Sequence, residues 1–289
     1  MTASTPVVEP RGVTATSEPP AATRATPETR PAPRRRQVLA LGRAEWAQLL
    51  ANKVALLNCF ALPLLMVFFF AGIGDSIGMS FGALVPMLVL GTALLFVVYY
   101  TLVTSFVARR ESLLLKRLRS GECDDWVIIS GLAGPFVVVT LVQVALAVLA
   151  SVTVLDVPIR AHLLLVVPVA VLSVLAWVAL AVASTGLTKN VEHAQITTMP
   201  AILVPLLLSG LSIPLAIMPE PLQVVAHLAP MTPGVELMHL ALTGQTMLGD
   251  TPTGAGLLTE VARCTAVLLA WTGLGWWLAR RTLRWEPRS

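Results

Sequence analysis

Charged side chains are scarce in this sequence: Asp, Glu, Lys and Arg make up 12% of its 289 residues, about half the share of a soluble domain. That scarcity excludes an ordinary soluble enzyme. Cysteine is scarce too. Cys59, Cys123 and Cys264 show no CxxC or metal-ligand spacing and read as three unrelated thiols. Familiar chemical motifs are missing as well. There is no GxxxxGK[ST], so the chain has no P-loop of its own for nucleotide, and neither HExxH nor GxSxG occurs. No long apolar stretch carries a lone Asp, Glu or Lys near its centre, where a proton relay or voltage sensor would need one. An ion-coupled carrier and an intramembrane metalloprotease are disfavoured accordingly. No catalytic residue, metal site or cofactor is expected on this chain.

Apolar residues are abundant, at 56%. Five stretches free of Asp, Glu, Lys and Arg run 54–74, 76–108, 126–155, 161–188 and 193–219, and a shorter one runs 264–279. A membrane-crossing helix needs roughly 20 apolar residues. An outer-membrane barrel is excluded, because its segments are shorter and alternate in polarity. The expected fold is all-α: a polytopic membrane protein with six transmembrane helices at about 54–74, 81–107, 126–155, 163–187, 194–217 and 256–279. Pro63 lies near the middle of the first span, so a neighbour must satisfy the carbonyl it frees. Gln143, near the centre of the third, must hydrogen-bond inside the bundle, to another helix or to a substrate. Glu260 and Arg263 are three apart, share a helix face and can pair.

Charge placement orients the bundle. Eighteen of the twenty Lys and Arg residues fall in the tail 1–53, the loop 108–125, the short loop 188–192 and the tail 280–289. Only Arg160 and Arg263 fall on the other side. By the positive-inside rule both termini and the longest polar loop are cytoplasmic. Seventeen Arg against three Lys suggests a GC-rich bacterial gene, hence a bacterial inner membrane. The basic balance needs no nucleic-acid partner.

Residues 1–36 are rich in Pro, Thr, Ala and Arg and are expected to form a disordered cytoplasmic tail, with Arg34-Arg35-Arg36 at lipid headgroups. Residues 37–52 are too polar to span. Leu39, Gly42, Trp46, Leu49 and Leu50 share one face, and Arg43, Glu45 and Gln48 avoid it. This is an amphipathic helix for the inner interface or for packing on a cytosolic partner.

Two further segments resist a simple span model. The loop Ala108–Asp125 encloses Leu113-Leu114-Leu115 among Arg109, Arg110, Lys116, Arg117 and Arg119. Leu114, Leu115 and Leu118 share one face, so a short amphipathic helix is expected, for the membrane surface or a partner's groove; a plain solvated loop is the alternative. The segment Met218–Thr243 is too apolar for an exposed loop and too broken by proline to span. It is expected to re-enter the outer leaflet as two short helical pieces. Gly210 and Pro214 should break the fifth span before it, with Met218 and Pro219 at the fold-back. Glu236 and His239 would then lie near membrane depth, three apart and able to hydrogen-bond at an outer gate. The alternative is an outer-surface helix with both side chains in water.

These stretches resemble the permease subunit of type-2 ABC exporters, particularly the daunorubicin-resistance-like branch. Arg109-Arg110-Glu111 followed by Leu115-Lys116-Arg117-Leu118-Arg119 is similar to that family's RRE-x-G-x-LKRLR coupling segment; Leu113 stands at its glycine. Thr188-Lys189-Asn190 with Glu192 and Ala194, through to Ser209-Gly210, is similar to its fifth-span signature. Pro214, Met218-Pro219, Leu222 and Ala229-Pro230-Met231-Thr232, ending at Gly244, are similar to its outer segment. The resemblance covers about 37–285. It implies a dimer of permeases, expected to be a homodimer, with two cytosolic ATPase subunits that hold ATP and Mg. It also implies that Arg109, Arg110, Glu111, Leu114, Leu115, Lys116, Arg117, Leu118 and Arg119 couple the bundle to that ATPase. The expected function is ATP-driven export of a hydrophobic drug-like, natural-product or lipid substrate. A glycan-lipid exporter, which would use Tyr99 and Tyr100, and a non-transporting scaffold or sensor subunit are the alternatives.

Overall fold

The computed structural model describes residues 33–51, 53–71, 80–120, 124–159 and 161–283. Among these, every regular element is helical. Helix α1 (Arg34–Ala51) leads into α2 (Lys53–Ala71). Next comes one long helix, Phe81–Glu111, made of α3 (Phe81–Thr92), a π-helical stretch (Ala93–Tyr100) and α4 (Thr101–Glu111). A short α5 (Leu114–Ser120) is followed by α6 (Asp125–Thr153), α7 (Val166–Thr185) and α8 (Val191–Leu208). Two short helices, α9 (Glu220–Leu228) and α10 (Thr232–Thr243), precede the long α11 (Ala255–Thr282).

The long helix Phe81–Glu111 is the axis of the bundle. It carries no charged residue up to Ala108 and is predominantly apolar on every face, as suits a helix enclosed by others, and α2, α6, α7, α8 and α10 pack along it. In its π stretch the wider turns leave main-chain carbonyls off the usual ladder. Thr101 Oγ1 reaches back five residues to donate to Phe96 O at 2.8 Å. Tyr99 packs edge-on against Trp177, with centroids 5.5 Å apart, and donates its hydroxyl to Ser184 Oγ at 2.9 Å.

Small residues let α11 lie close along α7. A Cβ added at Gly275 would stand 2.8 Å from Ala179 Cβ, and Thr282 Oγ1 donates to Ala183 O at 3.0 Å. Such close contact replaces the hydrophobic drive that lipid removes. Between α6 and α2, Gln143 Nε2 donates to Cys59 O at 2.7 Å.

Among the described residues, five helices are long and apolar enough to cross a membrane: Phe81–Glu111, Asp125–Thr153, His162–Thr185, Val191–Leu208 and Ala255–Thr282. The first expected span is α2, which contributes a shorter apolar run, Cys59–Phe70. The fifth expected span, drawn to Ile217, ends as a helix at Leu208. Gly210 there takes φ +81°, which terminates a right-handed helix without a Cβ penalty. Thr232 Oγ1, donating to Leu208 O at 3.2 Å, serves one of the carbonyls left at that end. Helix begins at Arg34, inside the segment expected to be a tail. Residues 1–32, the turn Gly72–Asp75, Cys123 and Arg160 lie outside the described residues.

The α9–α10 connection reaches well into the bundle. Met231 packs at Gly91, ten residues or about 15 Å along the axial helix from Phe81. Leu228 O accepts from Trp271 Nε1 at 2.8 Å, about 24 Å along α11 from Ala255. From there α10 runs back, antiparallel to α11, with every residue from Thr232 to Leu242 buried.

Candidate functional site

At the basic end of the bundle, three consecutive side chains on the last turn of α4 each tie down a different helix. Arg109 pairs with Glu45 of α1 and donates to Gln48 Oε1 at 3.0 Å. Burial pushes the Glu45 carboxyl up, against the pull of Arg109. Arg110 is fully buried. It donates through Nη1 to Thr185 O at 2.9 Å and through Nη2 to Thr188 O at 2.5 Å and Lys189 O at 2.9 Å. These carbonyls end α7 and enter the α7–α8 turn, where a helix leaves acceptors unpaired and a planar guanidinium can fork between them. Glu111 Oε1 accepts the amide of Val191, the first residue of α8, at 3.2 Å. A carboxylate suits that positive helix end. Asn190 completes the cap by accepting from His193 N at 2.8 Å. The RRE and TKN-x-E stretches, about 80 residues apart in sequence, thus meet in space.

Beyond Glu111 the chain turns sharply. Leu113 has φ +59°, a left-handed conformation that a branched side chain rarely takes. This is the position where the family resemblance has glycine. Helix α5 then presents a mixed face. Leu115 is 1% exposed and Leu118 packs partly buried on the same core. Leu114 is half-buried, while Leu113 and Arg117 are exposed. Of the three leucines expected to fill a partner's groove, Leu115 fills the chain's own core. Lys116 and Arg119 belong to α5, with side chains outside the described set.

The opposite end holds a second cluster, where α9, α10 and α11 meet. Glu236, 1% exposed, accepts from Arg263 Nη2 at 2.8 Å and lies 3.2 Å from His227 Nδ1. Arg263 also pairs with Glu260 one turn earlier on α11. Burial alone would raise the Glu236 carboxyl; the His227 contact and the Arg263 charge outweigh it and hold the carboxyl below its usual range. Glu236 and His239 do not bond to each other, although their spacing of three would allow it. His239 is buried, with no partner at Nδ1, and burial lowers its pKa. The difference arises because Glu236 and Arg263 face each other across two helices, a pairing invisible to spacing within one. His227 gave no sign in the sequence. Glu260 with Arg263 did, by their separation of three.

A cavity of about 410 Å³ opens beside this cluster, lined by His227, Glu236, Leu248, Asp250, Glu260 and Arg263 among others. Glu236, Glu260 and Cys264 gather within reach of one cation, but Arg263 already supplies positive charge to both carboxylates. Gly210, Pro214, Met218 and Pro219 form the path into α9. Pro214 starts a 3₁₀ turn, Leu215–Ile217, and buried Met218 accepts from Gln223 Nε2 at 2.9 Å. Pro219 begins α9.

No curated protein matches the chain significantly. A family model does, that of the ABC-2 type transporter, over residues 36–242. The match takes in α1, the basic loop, the α7–α8 turn and nearly all of α10, more than two thirds of the chain. A helical bundle built for a membrane, matched over that length, belongs to the ABC-2 type transporter family and is the permease of an ABC transporter, its transport subunit rather than its ATPase.

Proposed function

We propose that the chain exports a hydrophobic drug-like, natural-product or lipid substrate, as half of a permease homodimer driven by two cytosolic ATPase subunits, in the daunorubicin-resistance-like manner. The basic end would face the cytoplasm of a bacterial cell, with both termini there and α9–α10 re-entrant in the outer leaflet. The observation that carries this reading is the grip of Arg109, Arg110 and Glu111 on α1, α7 and α8 from the root of one short loop. A push on α5 would reach three helices at once. ATP binding closes the ATPase pair, and this linkage would shift the bundle between inward and outward states. At the other end, the Glu236–Arg263 pair would hold α10 to α11 in the closed state.

A glycan-lipid path would want exposed aromatic and polar lining. Tyr99 is instead buried and bonded to Ser184, which weighs against that alternative. The test is co-expression with candidate ATPases, co-purification in detergent to count copies, and flux of fluorescent hydrophobic substrates in proteoliposomes. ATP-dependent flux supports export. A stable complex that hydrolyses ATP without moving any substrate would favour a scaffold or sensor subunit.

A further inference from the structure

Helix α1 turns one stripe inward and another outward. Leu41, Glu45 and Leu49 face α6 and α4, where Glu45 and Leu49 are buried. The outward stripe runs Arg36, Leu39, Arg43, Trp46 and Leu50, all exposed, at helical spacings of three and four. Beside this stripe an apolar groove of about 600 Å³ follows the seam where α1 packs on α6, lined by Val38, Leu39, Trp46, Leu50, Pro135 and Val138 among others, with Arg43 at its edge. Gly134 keeps the groove open, since a Cβ there would meet nothing within 4 Å. The groove runs out onto a strip of α6, Val138, Val142, Leu146 and Leu149, each about half exposed.

We propose that this groove is a binding site for one anionic phospholipid, with an acyl chain between α1 and α6 and the phosphate beside Arg43 and Arg36. Two observations select this occupant. The first is charge. Arg34 on the same helix is neutralised by Asp124 at 2.5 Å, whereas the guanidiniums of Arg36 and Arg43 have no hydrogen-bond or carboxylate partner among the described residues. Two cations without a partner among the described residues, on an otherwise apolar stripe, ask for an anion with a hydrocarbon tail. The second is continuity. A protein partner would find the groove ending in the long apolar strip of α6, whereas an acyl chain can follow that strip toward mid-bundle. The lipid would cover the open side of that seam and so help to hold Glu45 at Arg109. The site does not depend on what the permease exports.

The full-length chain would be reconstituted in nanodiscs of equal phosphatidylglycerol and phosphatidylcholine, extracted in mild detergent and analysed by native mass spectrometry. One phosphatidylglycerol should be retained in preference to phosphatidylcholine. Arg36→Gln and Arg43→Gln should each cut that preference about fivefold, the weight of one cation at an anionic surface. Gly134→Leu should expel lipid of both kinds by filling the groove; where that variant fails to fold, Val138→Trp makes the same test. A benzophenone amino acid at position 138 should crosslink to phospholipid. Equal retention of both lipids, a preference unchanged by the double Gln variant, or crosslinking at 138 to a second copy of the chain would each overturn the proposal.

Discussion

Gln143 stands opposite the gap that Pro63 makes in α2. A helical residue at position 63 would donate its amide to the carbonyl of Cys59; proline has no amide to give. Gln143 Nε2, from α6, donates to that same carbonyl at 2.7 Å. The two irregularities of these spans, a mid-helix proline and a mid-helix amide, are one interaction seen from two helices.

Gln143→Leu should therefore destabilise the protein by about 0.6–1.7 kcal/mol, the range for hydrogen bonds between membrane helices. In a Pro63→Ala background the restored main-chain amide at position 63 takes over Cys59 O, and the same substitution should cost close to nothing. Unfolding in mixed detergent micelles would measure the double-mutant cycle. Additive single effects would show that Gln143 does not serve Cys59.

Arg110→Ala strips three carbonyls of their donor, two of them buried, and should cost at least about 2 kcal/mol, since each unsatisfied buried group carries a penalty of that order. Arg110→Lys keeps the charge but not the fork and should fall between the two. Melting temperature in detergent, with proteolysis at the α7–α8 turn as a local probe, would rank the three proteins. Equal stability of the Ala and Lys variants would refute the forked cap.

Leu113 separates docking from folding. Its φ of +59° suits glycine better than leucine. Leu113→Gly should leave the melting temperature unchanged or raise it while removing the exposed side chain. The prediction is a weaker complex with the ATPase on size-exclusion chromatography. Leu115→Asp buries a carboxylate in the core and should instead abolish folding. Full ATPase binding by Leu113→Gly would remove that side chain from the docking surface.

Acidification should act at the Glu236 end in two stages. His239 has a lowered pKa when folded, so the unfolded chain takes up its proton first; stability falls as pH drops below about 6.5. Glu236 has a lowered carboxyl pKa when folded, so its contribution is complete above about pH 4.3 and is lost as pH falls toward the folded value. His239→Gln should flatten the first limb and Glu236→Gln the second, in stability measured from pH 8 to 3. Glu236→Gln should also reduce export at normal expression. A pH profile unchanged in both variants would exclude the assignment, and full export by a Glu236→Ala, His239→Ala protein would exclude a gating role.

The helices were legible because lipid demands long apolar runs, and the gaps between such runs give the order of elements almost by arithmetic. The break of the fifth span near Gly210 was legible too, although the helix stops at Leu208, before Pro214 can act. The partners of charged groups were not legible. Glu45 and Gln48 fall on the polar side of α1 when that helix is judged alone. Only the tertiary arrangement makes that side an inward one, facing Arg109. The pairing of Glu236 with Arg263 was likewise hidden, because 27 residues separate them and no local periodicity spans that distance. Where a charge sits along one helix is a local property; which neighbour it meets is set by the packing of several.

The π-helical stretch Ala93–Tyr100 gives the axial helix slack. Wider turns carry one residue more than α turns would use, so a residue can be removed there by tightening them, with the faces on either side kept in phase. Deleting Phe96, which is only partly buried, should leave Arg109–Glu45 and Arg110–Thr188 in register. Deleting Thr104, in the regular helix below, offers no such reserve. It should rotate the end of α4 by about 100° and break all three ties at the loop together. A cysteine pair introduced at positions 45 and 109 would report the difference, crosslinking in the first deletion and not in the second. The helix then acts as a shaft with a splice in it, tolerant of length where it is widest and exacting about angle where it meets the loop.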